Sequence, residues 1–438
     1  MSFGRKIGIS ANSFFFVVFA TVASFLTYTS MYAVRKAFTA GTFDGRVFAG
    51  MDYKVWLVIA QTIGYTLSKW WGIKIVAENT PRQRPWYILG LVTAGILSLL
   101  LFALIPAPYS IICLFLNGLP IGMIFGLVFN YLEGRRTTEI LVAGLTITQI
   151  FSSGFVKSVG RFFIHDLGVP DLWMPFLVGL IFFPVLLLSV WMLEQLPAQD
   201  KADIQLKSKR GAMTAPERRT FVRNFLAGLF IFMFSYILMT AYRDYRDNFA
   251  AEIWEGLGFK GHADLFTLTE IPVSAVILLL MIFLQRIRDN MKAFLFIHYM
   301  GIAGAAILLL ATCCYAAGWI SPVLWISATG VGLYIAYVPA NTIFFERMIA
   351  VFKYPGNAGF IVVMADFYGY SGSLGVLLYK SFGKQSLSYS SFFLYASFAV
   401  GLMLLLAQVG SCIYFSLKNK KQQAHTATPV ARLEMSDV

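Results

Sequence analysis

An arginine set in an apolar run is the residue here with the most chemistry to offer. Residues 25–38 read Phe-Leu-Thr-Tyr-Thr-Ser-Met-Tyr-Ala-Val-Arg-Lys-Ala-Phe and close the first apolar segment with Arg35 and Lys36. Helical steps of 3, 4, 7, 8 and 11 back from Arg35 reach Tyr32, Met31, Tyr28, Thr27 and Ser24, a mostly polar stripe on one face. A cation on such a stripe faces protein or a watered cavity rather than lipid, and marks a functional site by default. The plainer alternative is that Arg35 and Lys36 snorkel to the membrane interface.

A second copy of the stretch favours the functional reading. A shift of 208 residues lays Tyr28, Met31, Ala33 and Arg35 on Tyr236, Met239, Ala241 and Arg243, with Thr27 on Ser235. A shift of 215 lays Ala143-Gly144, Gly154, Ser158 and Gly160 on Ala358-Gly359, Gly369, Ser373 and Gly375. Two matches in the same order predict two parallel halves that meet around a central path, with a substrate site near mid-membrane. Arg35 and Arg243 then become a symmetric pair. Two facing cations repel in low dielectric unless an anion lies between them. The planar arginine fork suits phosphate or carboxylate.

The elements that must position this pair are membrane spans. The 438 residues are 58% hydrophobic and only 13% charged, too few charges to cover a water-soluble surface. Spans of about 20 apolar residues fall at 13–38, 52–76, 86–106, 109–132, 139–165, 172–195, 221–247, 264–286, 292–316, 321–348, 357–381 and 388–417. The expected fold is all-α and polytopic, twelve transmembrane helices in two pseudo-symmetric six-helix bundles. The boundaries are 1–196 for the first bundle, 197–220 for a basic linker, 221–417 for the second bundle and 418–438 for a disordered tail. Arg5 and Lys6 before Phe14 imitate a signal peptide, but the apolar run is too long for one and reads as an uncleaved first helix.

The net charge of +13 does not point to nucleic acid, because most of the 35 Lys and Arg fall in segments on the N-terminal side of the membrane. Both termini are therefore expected in the cytoplasm. Lys69 and Lys74 are counted with those segments. The four cysteines lie in apolar runs and the four histidines do not cluster, so no disulfide, metal or cofactor is expected.

Other polar groups carry two readings each. Lys157 and Arg161 form an i, i+4 basic pair, binding residues or snorkels. Glu270 precedes Pro272 and is a proton carrier or a partner for Arg243 or Arg246. Asp366 is the acid nearest mid-depth, a partner for a basic residue or for a transported proton. Asp244 and Asp247 flank Arg243, and Asp247, at i+4, is placed to neutralise it. Tyr368 and Tyr370 read as packing first and as lining of the path second, Asn130 and Asn341 as caps or gating contacts. Glu133 with Arg136, and Glu346 with Arg347, are candidate cytoplasmic gate bridges or plain loop charges.

Tyr32-Ala-Val-Arg35-Lys36-Ala-Phe38 resembles the first-helix motif of the organophosphate:phosphate antiporters of the major facilitator superfamily. Gly64-Tyr-Thr-Leu-Ser68-Lys69-Trp-Trp-Gly72 resembles the end of their second helix, and Asn117-Gly118 with Gly122 fits their fourth. The resemblance implies that Arg35 and Arg243 are phosphate-binding arginines. Three features depart from that group: the loop Ile73-Lys-Ile-Val-Ala-Glu-Asn-Thr-Pro-Arg82, which lacks the usual Asp-Arg pair; the second arginine and two acids around Arg243; and Lys157 where a histidine is usual nearby.

The expected function is secondary transport of a small organic anion, phosphorylated first, by alternating access. Arg35, Arg243, Tyr28, Tyr32, Tyr236, Lys157 and Arg246 are the substrate contacts. Asp366, Glu270, Asp244 and Asp247 are the proton or charge-balancing groups, and phosphate or a proton is the coupling species. A proton-coupled importer of a polycarboxylate or siderophore-type chelate is the alternative, and a non-transporting receptor the one from another class. An enzyme is not expected. The setting is a bilayer, as a monomer in a bacterial inner membrane, with import the expected direction.

Overall fold

The computed structural model describes residues 14–132, 138–197, 215–354, 359–383 and 387–434. The polar face of a transmembrane helix must be covered by protein, and that requirement organises the molecule. Twelve long helical segments run in sequence: α1 Phe14–Lys36, α2 Tyr53–Glu78, α3 Arg84–Leu104, α4 Ile111–Ile121 continued by Ile124–Leu132, α5 Thr138–His165 and α6 Met174–Glu194. The second set is α7 Ala215–Asn248, α8 Leu265–Leu268 continued by Glu270–Gln285, α9 Asn290–Ala316, α10 Pro322–Thr342 continued by Phe344–Val351, α11 Gly359–Phe382 and α12 Tyr389–Glu434. The chain is an all-α polytopic membrane protein. Its face bearing the start of α1 and the ends of α2 and α4 is called near here, the opposite face far.

Among the described residues, nine helices are long and apolar enough to cross a membrane. Helices α2, α5 and α11 carry polar or charged residues within their apolar runs: Gln61 and Lys69, Lys157 and Arg161, and Asp366. These are the helices that need protein cover. Contacts between the halves run from α2 to α11 and from α5 to α8, a pair of crossings related as the internal repeat requires. The remaining strong packing is within a half: α1 on α5 and α6, α2 on α4, α7 on α11 and α12, and α9 on α10 and α12. Glycines permit the tightest approaches. A Cβ on Gly118 would sit 2.4 Å from the Gln61 carbonyl oxygen, and one on Gly154 2.2 Å from that of Phe266 in the other half.

Several boundaries differ from the sequence expectation. Pro120 and Pro339 each remove a ladder N–H, and α4 and α10 break just past them. Helix α7 starts at Ala215, inside the expected linker, and bends at Phe225. Residues 418–434, expected to be disordered, continue α12; lysine, glutamine and alanine are good helix formers there, and extending a helix is easier than starting one. One small departure from all-α is a two-residue hairpin, Val47–Phe48 with Met51–Asp52, turning on Gly50 at a φ of +77°.

Candidate substrate cavity

The last turn of a helix leaves carbonyls without helical partners, and α1 ends where it matters. Two of the carbonyls before its end are caught by side chains. Gln61 Nε2 donates to the Arg35 carbonyl at 2.7 Å and to Asn117 Oδ1 at 2.8 Å. Asn117 Nδ2 in turn donates to the carbonyls of Gly95, at 3.0 Å, and Val34, at 3.4 Å. A polar knot of α2 and α4 thus fixes the backbone that carries Arg35.

Arg35 projects into a central cavity of about 600 Å³. Its guanidinium lies 3.7 Å from the ring centre of Tyr65 and 5.9 Å from that of Tyr32. No carboxylate lies within 4.0 Å of it among the described residues, and its Nε is buried without a hydrogen-bond partner. The cavity is also lined by Tyr28, Lys36, Lys69, Arg243, Asp244, Asp247, Asp366 and Tyr370. It extends toward the near face, past Gly72, Asn130, Thr342 and Val362.

Arg243 occupies the repeat-related place but not an equivalent environment. Its Nη2 and Nε meet Asp244 Oδ1 at 2.7 and 3.1 Å, and its Nη1 donates to the Tyr337 hydroxyl. Asp244, not Asp247, neutralises it; Asp247 points toward the first half instead. There Lys36 Nζ lies 2.6 Å from Asp247 Oδ2 and 2.7 Å from Asn248 Oδ1, while Lys157 and Ser153 donate to Asp247 Oδ1.

Lys69 is the residue that sequence reasoning missed. Counted with near-face charges, it instead lines the cavity and meets Asp366 Oδ2 of the other half at 2.5 Å. Its place inside an apolar run, one turn past Tyr65, was the available signal. Asp366 Oδ1 also lies 2.8 Å from the Tyr236 hydroxyl, which is 2.8 Å from Asn341 Oδ1. Tyr370, read as packing, lines the cavity edge-on to Tyr65 at 5.8 Å.

Four of the expected residues lie off the cavity. Tyr236 stands one step behind Asp366. Lys157 is spent on Asp247. Arg246 Nη1 meets Glu270 Oε1 at 2.7 Å, so Arg246 and Glu270 neutralise each other inside the second half. Arg347 bonds Asn290 Oδ1 at 2.8 Å, also within the second half, with Glu346 beside it on the same short helix. That is a contact other than the expected gate. Glu133 and Arg136 lie outside the described residues.

At the far face the halves are joined by charge. Besides the Asp247 cluster, Lys54 Nζ meets Glu252 Oε1 at 2.7 Å and Arg161 Nη2 meets Glu255 Oε1 at 2.5 Å. In each of these ion pairs the cation comes from the first half and the carboxylate from the second. Glu252 and Glu255 sit on a short helix, Ala250–Gly256, that caps α7. On the near side of the cavity the Lys69–Asp366 pair is the ion pair that crosses between halves among the described residues.

Two bundles of six around a central, one-sided cavity define the major facilitator fold. The nucleoside transporter NupG superposes with a TM-score of 0.60 at 12% identity, over 91% of this chain and 99% of that one. A D-xylose-proton symporter gives 0.60 at 14%, over 91% and 97%. A POT family transporter in complex with 5-aminolevulinic acid gives 0.55 at 12%, over 94% and 99%. At such identities the likeness shows the fold. The chain belongs to the family described as "Family of unknown function (DUF5690)", which matches residues 37–418, a stretch that begins just past Arg35 and Lys36. No curated protein matches it.

Proposed function

We propose that the chain is a secondary transporter that carries a small organic anion, a phosphorylated one first, by alternating access, with Arg35 as the principal anion contact. The observation that carries this reading is the environment of Arg35: a half-buried guanidinium on a cavity wall, its Nε without a hydrogen-bond partner, set against aromatic rings and, among the described residues, against no carboxylate. Such a charge is costly until an anion completes it. The lining holds four cations, Arg35, Lys36, Lys69 and Arg243, against three carboxylates, Asp244, Asp247 and Asp366. Lys157 behind Asp247 adds one more. The excess suits a monoanion or dianion, and the volume lies in the usual range of small-molecule sites, roughly 300–1,000 Å³. The motif around Arg35, which resembles that of organophosphate antiporters, supports the same class.

A second reading is proton-coupled import of a polycarboxylate. It draws on Asp366, which faces the cavity and must release Lys69 for the halves to part. It loses the support expected from Lys157 and Arg246, since both are neutralised off the cavity.

Thermal-shift titration of the purified wild type and Arg35→Gln with inorganic phosphate, glycerol phosphate, sugar phosphates and citrate tests the choice. Proteoliposome counterflow completes it. Phosphate esters should stabilise the wild type alone, and preloaded phosphate should drive exchange. Stabilisation indifferent to Arg35 overturns the reading. Citrate-type stabilisation with uptake driven by a pH gradient supports the second. Saturable binding without transport leaves a receptor.

A further inference from the structure

The charges of the cavity account for the head of a ligand and leave its body unexplained. Of the 25 residues that line it, eight are aromatic, about a third, against 16% of the whole chain. The clearest group is on α4. Phe125, Gly126, Phe129 and Asn130, two adjacent pairs four residues apart, form one stripe along the cavity, with Gly122 and Met123 at the break before them. No member of that stripe is titratable.

Phe125 and Phe129 pack against the core with only part of their surface. On the same helix Ile124, Leu127, Val128 and Leu132 are fully buried and supply the packing face. Phe125 and Phe129 are only half-buried and lie on the cavity surface. Their rings are near-parallel, 21° apart with centres 6.2 Å apart, and Tyr28 meets Phe125 edge-on at 5.6 Å. Tyr28 stands two turns from Arg35 along α1, about 10 Å at the helical rise. An aromatic shelf therefore starts about that far from the unpaired guanidinium and runs toward the near face.

We propose that the transported anion carries an aromatic or heteroaromatic ring, with its anionic group at Arg35 and its ring on the shelf of Phe125 and Phe129. The proposal rests on the anion reading above and names the substrate class within it. Phenyl rings on a water-filled wall lose favourable burial until a flat apolar face covers them. A sugar or glycerol body would leave them wet. A ring joined to its anionic group by a few bonds spans the distance.

Calorimetric titration with phenyl phosphate, glycerol phosphate, inorganic phosphate and phenol tests this on the intact protein. The wild type should bind phenyl phosphate about tenfold more tightly than glycerol phosphate, an advantage typical of ring stacking. Phe125→Leu and Phe129→Leu, which keep apolar bulk and remove the ring, should each shrink that advantage while leaving inorganic phosphate unchanged. Arg35→Gln should weaken all three phosphates together. Equal binding of phenyl and glycerol phosphate overturns the ring proposal and leaves the anion reading standing. Phenol bound as tightly as phenyl phosphate overturns the proposal by showing a plain apolar pocket. Binding of none of the phosphates overturns both.

Discussion

Arg35 and Arg243 hold matching positions in the sequence repeat and sit in different environments. Arg243 is matched in place by Asp244 and Tyr337, whereas among the described residues Arg35 lies against rings and no carboxylate. Removing each should therefore look different. Arg243→Gln strands a buried carboxylate, and breaking a buried pair costs about 3–5 kcal/mol. Its melting temperature should fall, and the double variant Arg243→Gln/Asp244→Asn should recover most of the loss. Arg35→Gln strands nothing; it should keep or raise the melting temperature of the ligand-free protein while anion affinity falls about 10- to 100-fold, the worth of a charge-assisted bond. The place of Arg35 on the cavity was legible because Tyr28 and Thr27 of its stripe recur as Tyr236 and Ser235 beside Arg243. The fate of Arg243 was not, because Asp244 and Asp247 both stand within reach of it in sequence. Which one turns toward it depends on Lys36 and Lys157, which come from other helices.

At the scale of elements, the informative helices are those least suited to lipid. The spans of α2, α5 and α11 were placed from sequence to within a few residues, yet their polar side chains could be paired only once the bundles met. Lys69 and Asp366 stand almost 300 positions apart, and no local pattern joins them. Their ion pair ties α2 to α11 beside the cavity, so it must break whenever the halves separate there. Asp366→Asn should retain anion binding and abolish any dependence of uptake on an imposed pH gradient, measured in proteoliposomes. Uptake by that variant that still follows the gradient would remove Asp366 from coupling. The α7 end offers a companion test. Asp247→Asn frees Lys36 and Lys157 from their shared carboxylate, so the far-face closure should loosen. A cysteine at Gln149, introduced in a background without the native cysteines, should then label faster with an impermeant thiol reagent from the far side.

For the whole molecule, the seam has one polarity: cations on the first half, carboxylates on the second. Lys54, Lys157 and Arg161 are almost fully buried, so these pairs are screened little by salt. Parting them exposes one basic and one acidic rim, a large change in hydration for a rocking motion. Glu252→Gln with Glu255→Gln should shift the population toward far-face opening, seen as faster labelling at Gln149 than in the wild type. The two-bundle plan was readable from the repeat and the span count. The seam was not, since Lys54 and Glu252 stand 198 positions apart and no local pattern joins them.

Trp254 sits on the short helix between Glu252 and Glu255, buried against Phe259 and close to Lys157 and Arg246. Among the described residues, none that lines the central cavity is a tryptophan. The molecule is thus wired for two separable optical signals. Ligand arrival at Arg35 touches tyrosine and phenylalanine and leaves indole emission nearly dark to the event. Parting of the seam lets water reach Trp254 and moves its emission to longer wavelength. In a variant that keeps Trp254 and replaces the other eight tryptophans, excitation at the red edge of indole absorption would then time the opening of the far face, with occupancy left out of the trace.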